Sequence, residues 1–114
     1  MPARASWRGV CVALALLGTV PAAHASNTPR GLAIARANAC MGCHAVDHKR
    51  VGPSFHQIAA KYKGIPQAPA ILANKVRNGG SGVWGVIPMP SHPSMTDADI
   101  RTVVAWVLAG APMK

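Results

Sequence analysis

The feature that most constrains this chain is Cys40-Met41-Gly42-Cys43-His44, two cysteines separated by two residues with a histidine directly behind the second. On a helical turn, positions i, i+3 and i+4 fall on one face, so two thiols and an imidazole in this order address one object from one side. The pattern is that of covalent haem c attachment, in which the thiols bond two vinyl groups and the imidazole meets the iron. Gly42 lets the backbone approach the ring closely. Two other chemistries use a Cys-x-x-Cys pair: a redox disulfide, and a zinc site that would need two more ligands from His48, His56 or His92. Neither accounts for the histidine that follows at once. The expectation is therefore one haem c attached through Cys40 and Cys43, with His44 as an iron ligand.

The N-terminus supplies a matching compartment. Arg4 and Arg8 accompany an apolar run from Val10 to Val20, and Pro21-Ala22-Ala23-His24-Ala25 ends in an A-x-A pattern, the composition of a secretory signal peptide. The run is shorter than the roughly 18 to 20 residues that span a bilayer. Residues 1–25 are expected to be removed on export to the periplasm, with Cys11 lost alongside them and no stable membrane insertion afterwards. The domain, residues 26–114, then has 89 residues and ten basic side chains against Asp47, Asp97 and Asp99, a net charge of +7. A chain this small buries only roughly 60 to 65 % of its unfolded surface, and its aromatic set is Phe55, Tyr62, Trp84 and Trp106. Much of the remaining apolar content is alanine, so a large cofactor is needed to fill the middle.

The rest of the chain reads as all-α. Thr28 and Pro29 have the form of an N-cap and first helical position, and Leu32, Ile34, Ala35 and Ala39 run along a helix that delivers Cys40 to His44 at its end. Ser54 caps a second helix, Phe55 to Tyr62, stopped by Gly64. Pro69 opens a third through Ile71, Leu72 and Val76 to Gly79-Gly80. Thr96 starts the last, with Asp97 and Asp99 in its first turn, Ile100, Val103, Val104 and Val107 at helical spacing, and Gly110 and Pro112 at its end. No strand pattern or repeat is present. Gly79 to Met95, between the third and last helices, is dense in Gly and Pro and must be shaped by turns and packing. Within it Met89 stands between Pro88 and Pro90, which restrict its backbone. A thioether is the soft second ligand of an electron-carrying haem. Met41 lies between the cysteines and Met113 near the chain end, leaving Met89 and Met95, of which Met89 is preferred for its flanking prolines. Ligation by His48 or His56 in its place stays open at this point.

Taken in order, Cys40-Met41-Gly42-Cys43-His44, Val51-Gly52-Pro53-Ser54-Phe55, Ala59-Ala60-Lys61-Tyr62, Arg77-Asn78-Gly79-Gly80, Val83-Trp84-Gly85, Ile87-Pro88-Met89-Pro90 and Ala105-Trp106-Val107-Leu108 resemble the small bacterial class I monohaem cytochromes c that donate electrons to haem-cd nitrite reductase. The resemblance spans essentially all of residues 26–114. It implies a class I cytochrome c fold of about four helices wrapped around one covalently bound haem. It also implies that the Pro53 carbonyl accepts a hydrogen bond from the far nitrogen of His44, and that Trp84 and Lys75 reach a haem propionate. Two positions depart from the family pattern: Val86 stands where a proline is usual, and His92 where an asparagine hydrogen-bonds near the ligand sulfur. An imidazole can donate the same bond, so His92 is either a tuning group or an ordinary loop histidine.

A haem with both axial positions filled exchanges electrons but offers no iron site to a substrate, so the expectation is a soluble periplasmic single-electron carrier, not an enzyme, acting as a monomer between respiratory redox partners. A peroxidase or ligand-sensing haem would require Met89 to leave the iron. The positive balance suits partners with acidic docking surfaces, such as a nitrite reductase, a terminal oxidase or a quinol-cytochrome c reductase, met through Lys49, Arg50, Lys61, Lys63, Lys75 and Arg77. Nucleic acid is not an expected partner: the chain has no such motif, and its basic residues are not interleaved with aromatics.

Overall fold

The computed structural model describes residues 2–3 and 28–114. The expected signal peptide lies, but for residues 2 and 3, outside them. Five helices follow in order: α1 (Arg30–Ala37), α2 (Cys40–Cys43), α3 (Phe55–Tyr62), α4 (Ala68–Asn78) and α5 (Asp97–Leu108). Three begin where local chemistry places them. Ser54 accepts from the Gln57 N–H while the Gln57 side chain accepts from the Ser54 N–H, a reciprocal cap that starts α3. Thr96 accepts from the Asp99 N–H to start α5. Gln67 precedes α4, with Pro69 in its first turn, where a missing N–H costs nothing. Pro29, not Thr28, is the N-cap of α1.

The sequence pattern runs one helix through to His44, and here the structure differs. Helix α1 stops at Ala37, where Asn38 keeps its backbone N–H on the Ile34 carbonyl at 3.1 Å and adds its side-chain amide to the same oxygen at 2.9 Å. Ala39 then takes a left-handed conformation, φ 58°, which redirects the chain before the single turn of α2. His44 lies just beyond that turn in extended backbone, its N–H bonded to the Cys40 carbonyl at 2.9 Å. The cysteines are thus presented by a separate short turn, and not by the end of α1.

Helices α1 and α5 cross closely. A side chain at Gly31 would collide with Trp106, so only glycine lets the two backbones approach here. Around this crossing pack Leu32, Ile34, Ala35, Phe55, Met95, Ile100, Val103, Val104, Trp106, Val107 and Ala111, with α3 and α4 laid against α5. Burial of each large member contributes roughly 1.5–3 kcal/mol. Met95 is part of this core, 6 % exposed. Among the described residues there is no strand, only an isolated antiparallel bridge between Gly80 and Met89, and no helix is long and apolar enough to cross a membrane.

Candidate functional site

A cleft of about 350 Å³ opens beside α5, with Val103, Val104 and Val107 among its lining. Cys40, Cys43, His44, Pro53, Lys75, Trp84 and Met89 all line it, so the structure brings together every residue that the sequence marks for a site. His48, His56 and Met95 do not. His48 is exposed and bonded to Asp47 at 2.8 Å, and His56 is exposed on α3.

One wall is the loop that follows the cysteines. Its two ends are tied by Gly52 N–H to the Cys43 carbonyl (2.8 Å) and Phe55 N–H to the Ala45 carbonyl (2.9 Å), and Arg50 donates to the Met41 carbonyl at 2.8 Å. His44 is buried, and its Nδ1 lies 2.6 Å from the Pro53 carbonyl. A carbonyl only accepts, so Nδ1 carries the proton and the Nε2 lone pair is left for a metal. Phe55 stacks on the imidazole with ring centroids 5.2 Å apart, and Trp106 meets Phe55 edge-on at 5.2 Å. A Cβ at Gly52 would stand 2.8 Å from His44 Cε1, so this glycine is what admits the ring. Neither Phe55 nor Gly52 was singled out for the imidazole by sequence reasoning, and the only signal was their place just after the motif in a Val-Gly-Pro-Ser-Phe run.

The other wall is the loop 79–95. Gly80 and Met89 exchange both backbone hydrogen bonds, at 3.0 and 2.9 Å, and the tip is closed by Gly82 N–H to the Gly85 carbonyl at 2.8 Å. Gly79 ends α4 at φ 66°, ψ −151°, and a side chain there would run into the Met89 carbonyl. His92 N–H bonds the Val76 carbonyl at 3.1 Å, and its Nδ1 lies 3.3 Å from the same oxygen, so this imidazole is tied to the end of α4. Arg77, counted from sequence among the docking cations, is instead turned into the fold. It donates to the carbonyls of His92, Pro93 and Met95 and to the Asp97 carboxylate. Lys75 and Trp84 sit on the cleft lining, and Lys61 Nζ stands 5.5 Å above the Trp84 ring.

The donor set fits haem c. Two thiols, one imidazole with its tautomer fixed and one thioether surround an apolar cleft, with a lysine and an indole available to acidic side groups. It does not fit the alternatives. Burial pushes the Cys40 thiol up, against a lowering backbone hydrogen bond and with nearby Cys43 adding to the rise, the reverse of an activated redox thiolate. Among the described residues no group of three or more His, Cys, Asp or Glu is arranged to hold a metal ion such as zinc.

Known proteins agree with this assignment. The sequence model of the family "Cytochrome c" matches residues 29–111. Cytochrome c-552 of Nitrosomonas europaea is 39 % identical over 105 residues, 92 % of this chain and 96 % of its own length. Cytochrome c-551 of Pseudomonas aeruginosa is 46 % identical over 70 residues, 61 % of this chain and 66 % of its own. The crystal structure of wild-type Nitrosomonas europaea cytochrome c552 superposes with a TM-score of 0.67 at 43 % identity, covering 69 % of this chain and 98 % of that one. The chain belongs to the cytochrome c family and has its all-α class I fold. It is an electron-transfer protein and not an enzyme, and it carries one haem c bonded through Cys40 and Cys43.

Proposed function

We propose that the protein works as a soluble periplasmic carrier of single electrons, its haem iron held between His44 and Met89. The observation that carries this is that His44 and Met89 line one apolar cleft from separate walls, with Nδ1 of His44 already committed to Pro53. Haem, when bound, supplies a one-electron change at iron. The chain's part is to hold and insulate it. The Pro53 carbonyl fixes the imidazole and raises its basicity, Met89 would supply its thioether to the iron, and the valines of α5 exclude water. That thioether would favour the reduced iron and leave a substrate no place on it. Lys75 and Trp84, on the cleft lining, would hold the propionates, with Lys61 as a further cation beside the indole.

Export follows from residues 1–25 as a cleaved signal peptide. In support, the Nitrosomonas europaea relative aligns over 92 % of this chain, whereas the crystallised protein is matched by 69 % of it. A removed leader produces such a difference. The partners are redox proteins with acidic docking surfaces, such as a nitrite reductase, a terminal oxidase or a quinol-cytochrome c reductase. Lys49, Arg50, Lys61, Lys63 and Lys75 are the cations offered to them, while Arg77 is withdrawn from that set by its contacts.

The test is the absorption spectrum of the ferric holoprotein made with a c-haem maturation system. A weak far-red band from sulfur on ferric iron, lost in Met89→Ala, is the expected result. Covalent haem without that band would remove Met89 as the ligand.

A further inference from the structure

Loop 79–95 has few means of holding itself. Pro88, Pro90 and Pro93 lack an N–H, so the stretch after Met89 is poor in donors while its carbonyls remain to be satisfied. The near end is secured by the Gly80–Met89 bridge. At the far end His92 N–H donates to the Val76 and Arg77 carbonyls and Met95 N–H to the His92 carbonyl at 3.3 Å, and the side-chain donors come from outside the loop. Arg77, on the last turn of α4, reaches His92 O at 3.2 Å, Pro93 O at 3.0 Å and Met95 O at 2.7 Å through one guanidinium nitrogen, and Asp97 Oδ1 at 2.6 Å through another. Its side chain is 29 % exposed, in contrast to the 80 % exposure of Asp97, so the guanidinium is mostly enclosed by the groups it binds. It therefore ties three objects together: the end of α4, the end of the loop, and the start of α5 through Asp97.

Resting on the reading that Met89 ligates the iron, we propose that Arg77 is a positioning residue for Met89. By gathering the carbonyls of His92, Pro93 and Met95 it fixes the far end of the loop, and so governs how readily the Met89 thioether leaves the iron. The planar fork of arginine is what serves several acceptors at once. Lysine has three donors but on one nitrogen, and cannot reach the carbonyls and Asp97 from two separate nitrogens as Arg77 does.

The experiment uses ferric holoprotein and imidazole as a competing ligand, following loss of the far-red band. Wild type, Arg77→Ala, Arg77→Lys and Leu108→Ala are compared, the last lowering stability through core packing away from the loop. The expected result is that Arg77→Ala loses the band at about tenfold less imidazole than wild type, with Arg77→Lys between them. Leu108→Ala should keep the wild-type midpoint despite its lower unfolding midpoint. An unchanged midpoint in Arg77→Ala, or an equal fall in Leu108→Ala, would overturn the proposal. If Arg77→Ala does not mature, a wild-type midpoint in Arg77→Lys overturns it. A wild type without the band fails differently, because it removes the Met89 reading on which the positioning role depends.

Discussion

The two walls of the cleft are built on different principles. On the His44 side the imidazole continues into an aromatic stack, Phe55 and then Trp106, that belongs to the core itself, and its ring nitrogen is held by the Pro53 carbonyl. On the Met89 side the chain between α4 and α5 has no helix. Up to Met95, which enters the core, it is held by a two-bond bridge, three prolines, the His92 N–H on the end of α4 and a guanidinium borrowed from α4. Packing in a close-packed interior resists displacement because any shift opens a void, whereas polar contacts near the surface exchange readily with water. The comparison leads to the expectation that the Met89 wall opens before the His44 wall.

Phe55→Ala attacks the packed wall and carries the largest expected effect. Phe55 is 4 % exposed and touches both His44 and Trp106, so truncation should cost about 3–5 kcal/mol in urea unfolding of the holoprotein. A loss under about 1 kcal/mol would mean that the imidazole wall is not core, and the contrast between the walls would fail.

Gly79→Ala attacks the polar wall. Its φ of 66° with ψ of −151° is a backbone region open almost only to glycine, and the added methyl would press on the Met89 carbonyl. The expected cost is about 1–3 kcal/mol. More telling is where the loss falls: in a urea titration of the ferric protein, the far-red band should disappear well before the far-ultraviolet helical signal. Coincident transitions would show that the walls open as one unit.

How far these walls could be read from sequence follows from how local their causes are. The motif at Cys40, Cys43 and His44 is a matter of spacing along a few residues, and Met89 is marked by its two prolines, so the residues that meet at the cleft could be picked out locally. Ser54 and Thr96 announce α3 and α5 because a cap is local chemistry between residues three apart. The end of α1 was not legible, since Arg-Ala-Asn-Ala-Cys reads as helix and the left-handed turn falls on Ala39, with no glycine to announce it. Nor was the Gly80–Met89 pairing, which brings together residues nine apart without any alternating pattern. Arg77 looked like any other cation because a sequence shows charge but not direction. Its acceptors lie 15 to 18 residues away on the chain, with Asp97 at 20.

The smallest expected effect comes from the outer surface of the packed wall, where Asp47 and His48 form an exposed pair at 2.8 Å. The hydrogen bond from His48, aided by a backbone hydrogen bond, holds the Asp47 carboxyl below its usual range, while its slight burial acts the other way. A carboxyl depressed in the folded state adds stability above its ordinary pKa of about 3.9 and loses that contribution as pH falls through the lower folded value. Because the group is solvent-exposed, screening leaves little of this. Asp47→Asn should therefore lower the urea midpoint only slightly at pH 7, and that small difference from wild type should vanish as the pH is taken from 5 to 2. A neutral-pH loss approaching that of Phe55→Ala, abolished in acid, would place the hold on this loop in its surface ion pair. The His44 wall would then resemble the Met89 wall, kept in place by polar contacts and open to the same kind of release.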